Sequence, residues 1–82
     1  MKNWWKSMPK LPIVSGVKVV KALVKFGYEV DHQTGSHLIL RQKQYPFRRA
    51  SVPNHNVIAK GTLNEIIKES GLTRDAFVKA LK

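Results

Sequence analysis

The chain has 82 residues, of which 43% are hydrophobic, enough for one small globular domain and too many for a largely disordered chain. Fifteen Lys and Arg residues against five Asp and Glu give a formal net charge of +10, which indicates a polyanionic partner: nucleic acid, an acidic protein or an anionic membrane. The chain has no cysteine, which excludes disulfides and thiolate metal sites. No apolar run approaches the roughly 18 residues of a membrane span, and we expect a cytoplasmic protein.

The first residues carry no predicted helix or strand. Pro9 and Pro12 favour an extended or loop-like backbone, and the residues before them lack the apolar segment of a secretory signal. We predict a flexible, non-catalytic arm over residues 1–10 and a single domain over residues 11–82.

A first helix is predicted from Ser15, as the N-cap, to about Phe26. Its apolar residues cover a broad arc and are expected to be buried: Val17, Val19, Val20, Leu23, Val24 and Phe26. Its lysines form a narrow stripe on the remaining surface: Lys18, Lys21 and Lys25. The stripe is either a solvated face or a row of phosphate contacts.

Three short strands follow. Segments 28–32 and 36–42 alternate apolar and polar residues and form a predicted hairpin, in which Gly35 supplies the positive φ of the turn. A second turn leads to a third strand over residues 47–52, which Pro53 ends. This pattern predicts a three-stranded antiparallel sheet.

The remaining residues predict two more helices. Thr62 and Glu65 have the spacing of a capping box at the start of helix two, and Gly71 ends it. Thr73 is the predicted N-cap of a short last helix. The order αβββα plus a C-terminal helix predicts an α+β, double-stranded-RNA-binding-like fold, with its helices on one face of the sheet and the other face open.

The second strand is predicted to carry a histidine and an arginine on that open face. Because Leu38 and Leu40 must face the helices, the period of two places His37, Ile39 and Arg41 on the opposite side. Imidazole suits proton transfer near neutral pH, and guanidinium suits phosphate. The pattern indicates chemistry on a polyanion.

Three segments in chain order carry a resemblance to a known family. They are VKVVKALVKFGY at 17–28, GSHLILR at 35–41 and VPNHNVIAKGTLNEIIKESGL at 52–72. Together they resemble the HicA-type toxins of bacterial and archaeal toxin–antitoxin modules, small mRNA interferases of double-stranded-RNA-binding-like fold. Many members have a second histidine where this chain has Leu38, a departure that we expect to affect packing rather than chemistry.

The resemblance implies a function and a site. It implies cleavage of mRNA, with His37 in the catalytic position and His55 as the histidine of the Pro-x-His segment. It also implies inhibition by a cognate HicB-type antitoxin. The residues expected to bind RNA are Lys18, Lys21, Lys25, Arg41, Arg48, Arg49, His55 and Lys60.

Several roles stay open at this level. Arg48 and Arg49 have opposite facings, so one of them is expected to serve phosphate and the other to be a solvated charge on an edge strand. His55 is either a second proton-transfer group or a loop-ordering residue, and we expect a plain surface or packing role for His32, at the end of its strand. A metal site from Asp31, His32, His37 and His55 lacks any known ligand spacing, so no metal or other cofactor is expected.

Two other functions compete with the ribonuclease. A non-catalytic basic RNA-binding module explains the charge and the element order equally well, and cleavage of RNA separates the two. A membrane-surface protein using Trp4 and Trp5 leaves the capped core elements unexplained. Tyr45 and Phe47 are candidates for base stacking, although turn and core roles are expected for them.

Overall fold

A computed structural model of the chain describes residues 13–81. The elements are α1 (Gly16–Val24), β1 (Tyr28–Thr34), β2 (His37–Gln42), β3 (Arg49–Pro53), α2 (Lys60–Ser70) and α3 (Arg74–Ala80). This order confirms the predicted αβββα arrangement with an extra C-terminal helix. The predicted arm over residues 1–10 lies outside the described residues.

The strands form one antiparallel sheet in the order β1-β2-β3, so β2 is the central strand. On its inner face Leu40 lies opposite Ala50, and Leu38 lies opposite Val52. Leu40, Ala50 and Val52 are buried and pack with the buried side chains of the helices. The helices therefore cover one face of the sheet and leave the other open, as the sequence predicts.

The core lies between this inner face and the helices. Its largest fully buried side chains are Tyr28, Phe77, Leu23, Leu40, Leu63, Ile66, Val19 and Val52. The Tyr28 hydroxyl donates a hydrogen bond to the carbonyl oxygen of Ser70 at 2.9 Å, so its polar end is satisfied at the end of α2. Burial raises the pKa of Tyr28, and the positive charge of Arg48 acts in the opposite direction.

α1 buries a narrower stripe than the apolar pattern predicts. Val19 and Leu23 are fully buried, but Val17 and Val24 are 50% and 49% exposed, and Phe26 lies beyond the helix end and is also exposed. At 100° per residue, Val17 and Val24 lie about 130° from the centre of the buried stripe. Because α1 packs against the rest of the domain on one side only, its flanking valines stay in solvent.

The N-caps predicted for α1 and α3, Ser15 and Thr73, are confirmed. The Ser15 hydroxyl accepts the N–H of Lys18 at 3.3 Å, and the Thr73 hydroxyl accepts the N–H of Ala76 at 3.1 Å. Gly71 ends α2 in the left-handed conformation, with φ of 74°.

The predicted capping box of α2 is wrong. The helix begins at Lys60, with Ala59 as an N-cap that makes no side-chain hydrogen bond, so Thr62 lies inside the first turn. The reason is a contact outside the helix: the N–H of Ile58 donates to the carbonyl oxygen of Val14 at 2.9 Å. That bond fixes the chain just before Ala59, and the N-cap lies three residues before the predicted position.

Candidate functional site

His37 begins the central strand and is exposed on the open face of the sheet. A two-residue turn of Gly35 and Ser36 precedes it, and Gly35 has the positive φ, 56°, that this hairpin needs. Because Leu40 is buried on the inner face, the period of two directs His37 outward. The predicted facing of His37 is confirmed.

The turn before His37 is tied to the loop that follows β3. The N–H of Asn54 donates to the carbonyl oxygen of Ser36 at 2.6 Å, and the N–H of Gly16 donates to that of His55 at 2.9 Å. Gly16 is buried, and a Cβ there would collide with the carbonyl oxygen of Pro53. The close approach of α1 to this loop thus requires glycine and brings exposed His55 to the same end of the sheet as His37.

Arg41 and Arg49 lie on the same face as His37. The register of β2 and β3 pairs His37 with Pro53, Ile39 with Ser51, and Arg41 with Arg49. Residues directly opposite each other in an antiparallel sheet share a face. The open face thus carries a histidine at one end of β2 and a pair of arginines toward the other.

A β-bulge in β1 adds a second histidine to this face. Val30 lies opposite Leu40 and His32 lies opposite Ile39, so Asp31 is the extra residue. The extra residue shifts the alternation of β1 by one position, which places His32 beside Ile39 on the open face. Strict alternation would place Asp31 and Gln33 on the open face and His32 on the inner face. For this reason the sequence did not predict that His32 lies on the open face.

The bulge also pairs the two side chains. The His32 Nδ1 and Asp31 Oδ2 atoms lie 2.8 Å apart, and both side chains are exposed. The hydrogen bond with His32 is the main cause that lowers the pKa of Asp31, and the charges of Arg41 and Arg49 act in the same direction. The carboxylate therefore lies within the field of the two arginines. The sequence signal that could have indicated this hydrogen-bonded pair is the adjacency of Asp31 and His32 in a polar strand.

Arg48 lies on the other side of β3 from Arg49. Its backbone N–H donates to the Gln42 side-chain oxygen at 2.8 Å. Its guanidinium lies so close to Gly71 that a Cβ there would come within 3.0 Å of the Arg48 Nε. The opposite facings predicted for the two arginines are confirmed, and Arg48 is at the C-terminus of α2 rather than on the open face.

The predicted lysine stripe lies on the helical side of the molecule. Lys18, Lys21 and Lys25 are exposed and line a groove of about 210 Å³ with Ala80 and Leu81. The Lys25 Nζ donates to the carbonyl oxygen of Ala80 at 2.8 Å. The structure therefore does not bring the stripe to His37.

Lys60 follows His55 in the chain, with four residues between them. It is exposed at the start of α2, directly after the loop that joins β3 to α2. This loop carries His55 and is bonded to the turn before His37 through Asn54.

The turn between β2 and β3 exposes two aromatic rings. Tyr45 is 87% and Phe47 52% exposed, and the rings meet edge to face with centroids 6.4 Å apart. The expected core role of Phe47 is wrong because this residue, with φ of 58°, still belongs to the turn and precedes β3. Beside Tyr45 is a groove of about 230 Å³ that Phe26, Gln42 and Lys43 help to line.

No group of three or more His, Cys, Asp or Glu residues within residues 13–81 is placed to hold a metal ion. No helix in the same part of the chain is long and apolar enough to cross a membrane.

The fold and the site together define a class. An antiparallel sheet covered by helices on one face, with histidines and arginines on the other, is a small basic α+β domain suited to a polyanionic partner. A family model described as the HicA toxin of bacterial toxin-antitoxin matches residues 16–72, more than half of the chain. The chain therefore belongs to the HicA toxin family: it is a toxin of a toxin–antitoxin module, and an antitoxin is its implied partner.

The match covers all the strands, α1 and α2, and thus every residue of the open face named above. Comparisons with curated proteins and with solved structures gave no match.

Proposed function

We propose that this toxin is a metal-independent endoribonuclease that cleaves mRNA, with His37 as a general acid or base. The observation that supports it best is the exposure of His37 on the central strand, on the face that Arg41 and Arg49 share. A histidine beneath the helices could not meet a sugar-phosphate chain, whereas this one is accessible from solvent.

The reaction requires little beyond these side chains because RNA carries its own nucleophile. The 2′-oxygen attacks the adjacent phosphorus and loses its proton, and the bond from phosphorus to the 5′-oxygen breaks as that oxygen gains a proton. The products are a 2′,3′-cyclic phosphate and a 5′-hydroxyl. His37 would carry one of the protons, and the guanidinium groups would stabilise the negative charge that develops on the phosphate.

The other basic residues form a proposed binding surface. His55, whose loop is bonded to the turn before His37, and Lys60, which begins the next helix, would contact the RNA on one side of the cleaved bond. Lys18, Lys21 and Lys25 would contact phosphates only if the RNA also passed over the outer face of α1. Arg48 stays a predicted RNA ligand, but its position against Gly71 favours a structural role.

Inhibition is proposed to occur by covering the open face. An acidic HicB-type antitoxin would associate rapidly with a chain of net charge +10, because complementary charge raises the association rate. An antitoxin bound over His37 and Arg41 would exclude RNA from both. This interaction is proposed to take place in the cytoplasm, where mRNA is the substrate.

The test is cleavage of single-stranded RNA by the purified full chain in the presence of EDTA. We expect fragments with cyclic phosphate ends from the wild-type protein and none from His37→Ala, with unchanged circular dichroism. Gln44→Ala is the matched control, since Gln44 is an exposed residue of the turn between β2 and β3, at the other end of β2 from His37, and it should cleave as the wild type does.

Three outcomes would contradict the proposal. Retained cleavage by a folded His37→Ala variant would remove His37 from the chemistry. Loss of cleavage in EDTA, restored by a divalent ion, would indicate a metal-dependent reaction. Salt-sensitive RNA binding without any fragments would favour the non-catalytic RNA-binding module instead.

A further inference from the structure

β1 carries a histidine–carboxylate pair, His32 and Asp31, that has no role in the reaction described above. We propose that His32, held by Asp31, is the second proton-transfer group of the site and acts as its general acid, while His37 acts as the base. This inference rests on the proposed ribonuclease function and assigns its two proton transfers to two histidines.

The register places the two histidines next to each other on the open face. His37 lies opposite Thr34, and His32 lies opposite Ile39, two residues further along β2. Such diagonal neighbours have Cα atoms about 7–8 Å apart. A phosphodiester between two imidazoles on adjacent strands can meet both of them, because each ring extends from the sheet toward solvent.

The surroundings leave room for a phosphate there. Ile39 and Ser51 lie in the same row as His32 and are only partly buried, so they form a low floor between His37 and the arginine pair. Arg41 and Arg49 are close enough to act on the pKa of Asp31. A phosphate over this floor would thus have an imidazole on each of two sides. On a third side it would have the row of Arg41 and Arg49, in which Glu29 lies opposite Arg41.

Asp31 fixes which nitrogen of His32 is available. Its carboxylate lies at the Nδ1 position, so Nδ1 carries a proton toward Asp31 and Nε2 is left for the substrate. When both nitrogens carry protons, the pair is an ion pair. The carboxylate thus complements the acid form of the ring, and for this reason we assign His32 the acid role.

The protons balance across the step. Neutral His37 takes the proton from the 2′-hydroxyl as the new bond from the 2′-oxygen to phosphorus forms. Protonated His32 gives its Nε2 proton to the 5′-oxygen as the bond from phosphorus to that oxygen breaks. Exchange with water then returns each ring to its starting state, and no other reactant is required.

His55 is the competing candidate for this role. It lies at the same end of the sheet as His37, but the contact that fixes it is through its backbone carbonyl, which accepts the N–H of Gly16. Its side chain extends from a loop. His32 is instead on a strand of the sheet with its ring oriented by a carboxylate.

The experiment compares two substrates under single-turnover conditions. One is an all-oxygen oligoribonucleotide, and the other has sulfur in place of the 5′-bridging oxygen at the cleaved bond, which gives a thiolate that leaves without a proton. For His32→Ala we expect the rate constant on the oxygen substrate to fall by about 10²–10⁴-fold, and that on the sulfur substrate to stay within about tenfold of the wild type.

Asp31→Asn tests the positioning role, and Gln44→Ala is the control. Asp31→Asn should lower the single-turnover rate constant on the oxygen substrate less than His32→Ala does, and the sulfur substrate should rescue it. The enzyme concentration that gives half of the maximal rate should stay unchanged. A residue that only supports the fold would affect both substrates equally. Gln44→Ala should cleave both substrates as the wild type does, and His37→Ala should be slow on both.

The outcomes separate this inference from the proposed function. If His32→Ala cleaves the oxygen substrate normally while His37→Ala is inactive, the toxin is a ribonuclease and His32 is not its acid. A slow His32→Ala variant without sulfur rescue, or sulfur rescue of His55→Ala instead, would also overturn the assignment. If the wild-type protein cleaves neither substrate, the proposed function itself is wrong. Should His32→Ala fail to fold, His32→Gln is the variant to use.

Discussion

Arg48 and Arg49 are neighbours in the chain but have different surroundings. Arg49 lies opposite Arg41 on the open face, whereas Arg48 lies against Gly71 where α2 ends. The carbonyl groups at a helix C-terminus carry partial negative charge, which a guanidinium stabilises. One arginine is therefore available to a polyanion, and the other supports the packing of α2.

This difference predicts opposite effects of two similar substitutions. Arg41→Ala should lower RNA cleavage by about 10- to 100-fold, because hydrogen bonds to charged groups contribute about 1.5–3 kcal/mol, and should leave stability nearly unchanged. Arg48→Ala should lower the free energy of unfolding by about 0.5–1 kcal/mol with little change in cleavage. Urea denaturation and a cleavage assay on the same preparations measure both effects.

Because each substitution removes one positive charge, the two variants control for the loss of net charge. Equal losses of cleavage would mean that the overall charge, not the position on the open face, determines the contribution of these arginines. A destabilised Arg41→Ala variant would place that residue in the packing of the sheet instead.

The His37 and His32 positions differ in how far the sequence could predict them. The inward leucines of β2 fix the outward facing of His37, because a central strand without a bulge keeps its alternation. The apolar alternation of β1 ends at Val30, and the polar residues after it are exposed on both sides of an edge strand, so no apolar side chain specifies the register beyond Val30. The bulge at Asp31, and with it the exposure of His32 beside Ile39, therefore required the structure.

At the scale of elements, helix ends set by local hydrogen bonds could be predicted from the sequence, whereas a helix end set by a tertiary contact could not. Ser15 and Thr73 are predicted correctly as N-caps because the bond from a hydroxyl to an N–H three residues on is local. The start of α2 depends instead on the bond between Ile58 and Val14, residues that are distant in the sequence. A capping-box pattern at Thr62 cannot reveal such a contact.

The uncapped start of α2 predicts a stabilising substitution. Ala59 has the extended backbone of an N-cap, with φ of −61° and ψ of 146°, but no side chain that can accept a hydrogen bond. Ala59→Ser should raise the free energy of unfolding by about 0.5–2 kcal/mol, because its hydroxyl can accept an N–H of the first turn. The change is uncharged, so urea denaturation at two salt concentrations should give the same gain.

Thr73→Ala is the matched comparison, since it removes a cap that is present on α3. It should lower stability by a similar amount. If Ala59→Ser has no effect while Thr73→Ala is destabilising, the N–H groups at the start of α2 already have partners in solvent that a hydroxyl cannot improve on.

At the scale of the whole molecule, the positive charge is distributed over two surfaces. Arg41 and Arg49 lie on the open sheet face, and the lysine stripe lies on the outer side of α1, beside α3. An antitoxin covering the open face would leave the stripe exposed. Only RNA bound around the edge of the domain could contact both surfaces at once.

The salt dependence of RNA binding decides between the two interpretations of the stripe. In a His37→Ala background, which keeps the RNA intact, the logarithm of the binding constant should fall linearly with the logarithm of the salt concentration, with a slope of about −0.7 for each phosphate contacted. If Lys18 and Lys21 each contact a phosphate, the double variant K18Q/K21Q should bind with a slope shallower by about 1.4. The double variant R41Q/R49Q also removes two positive charges, but from the open face, and it should make the slope shallower. Introduced into the protein with His37 intact, it should also lower the rate of RNA cleavage. An unchanged slope for K18Q/K21Q would show that the stripe is a solvated face, and that the RNA path is confined to the sheet.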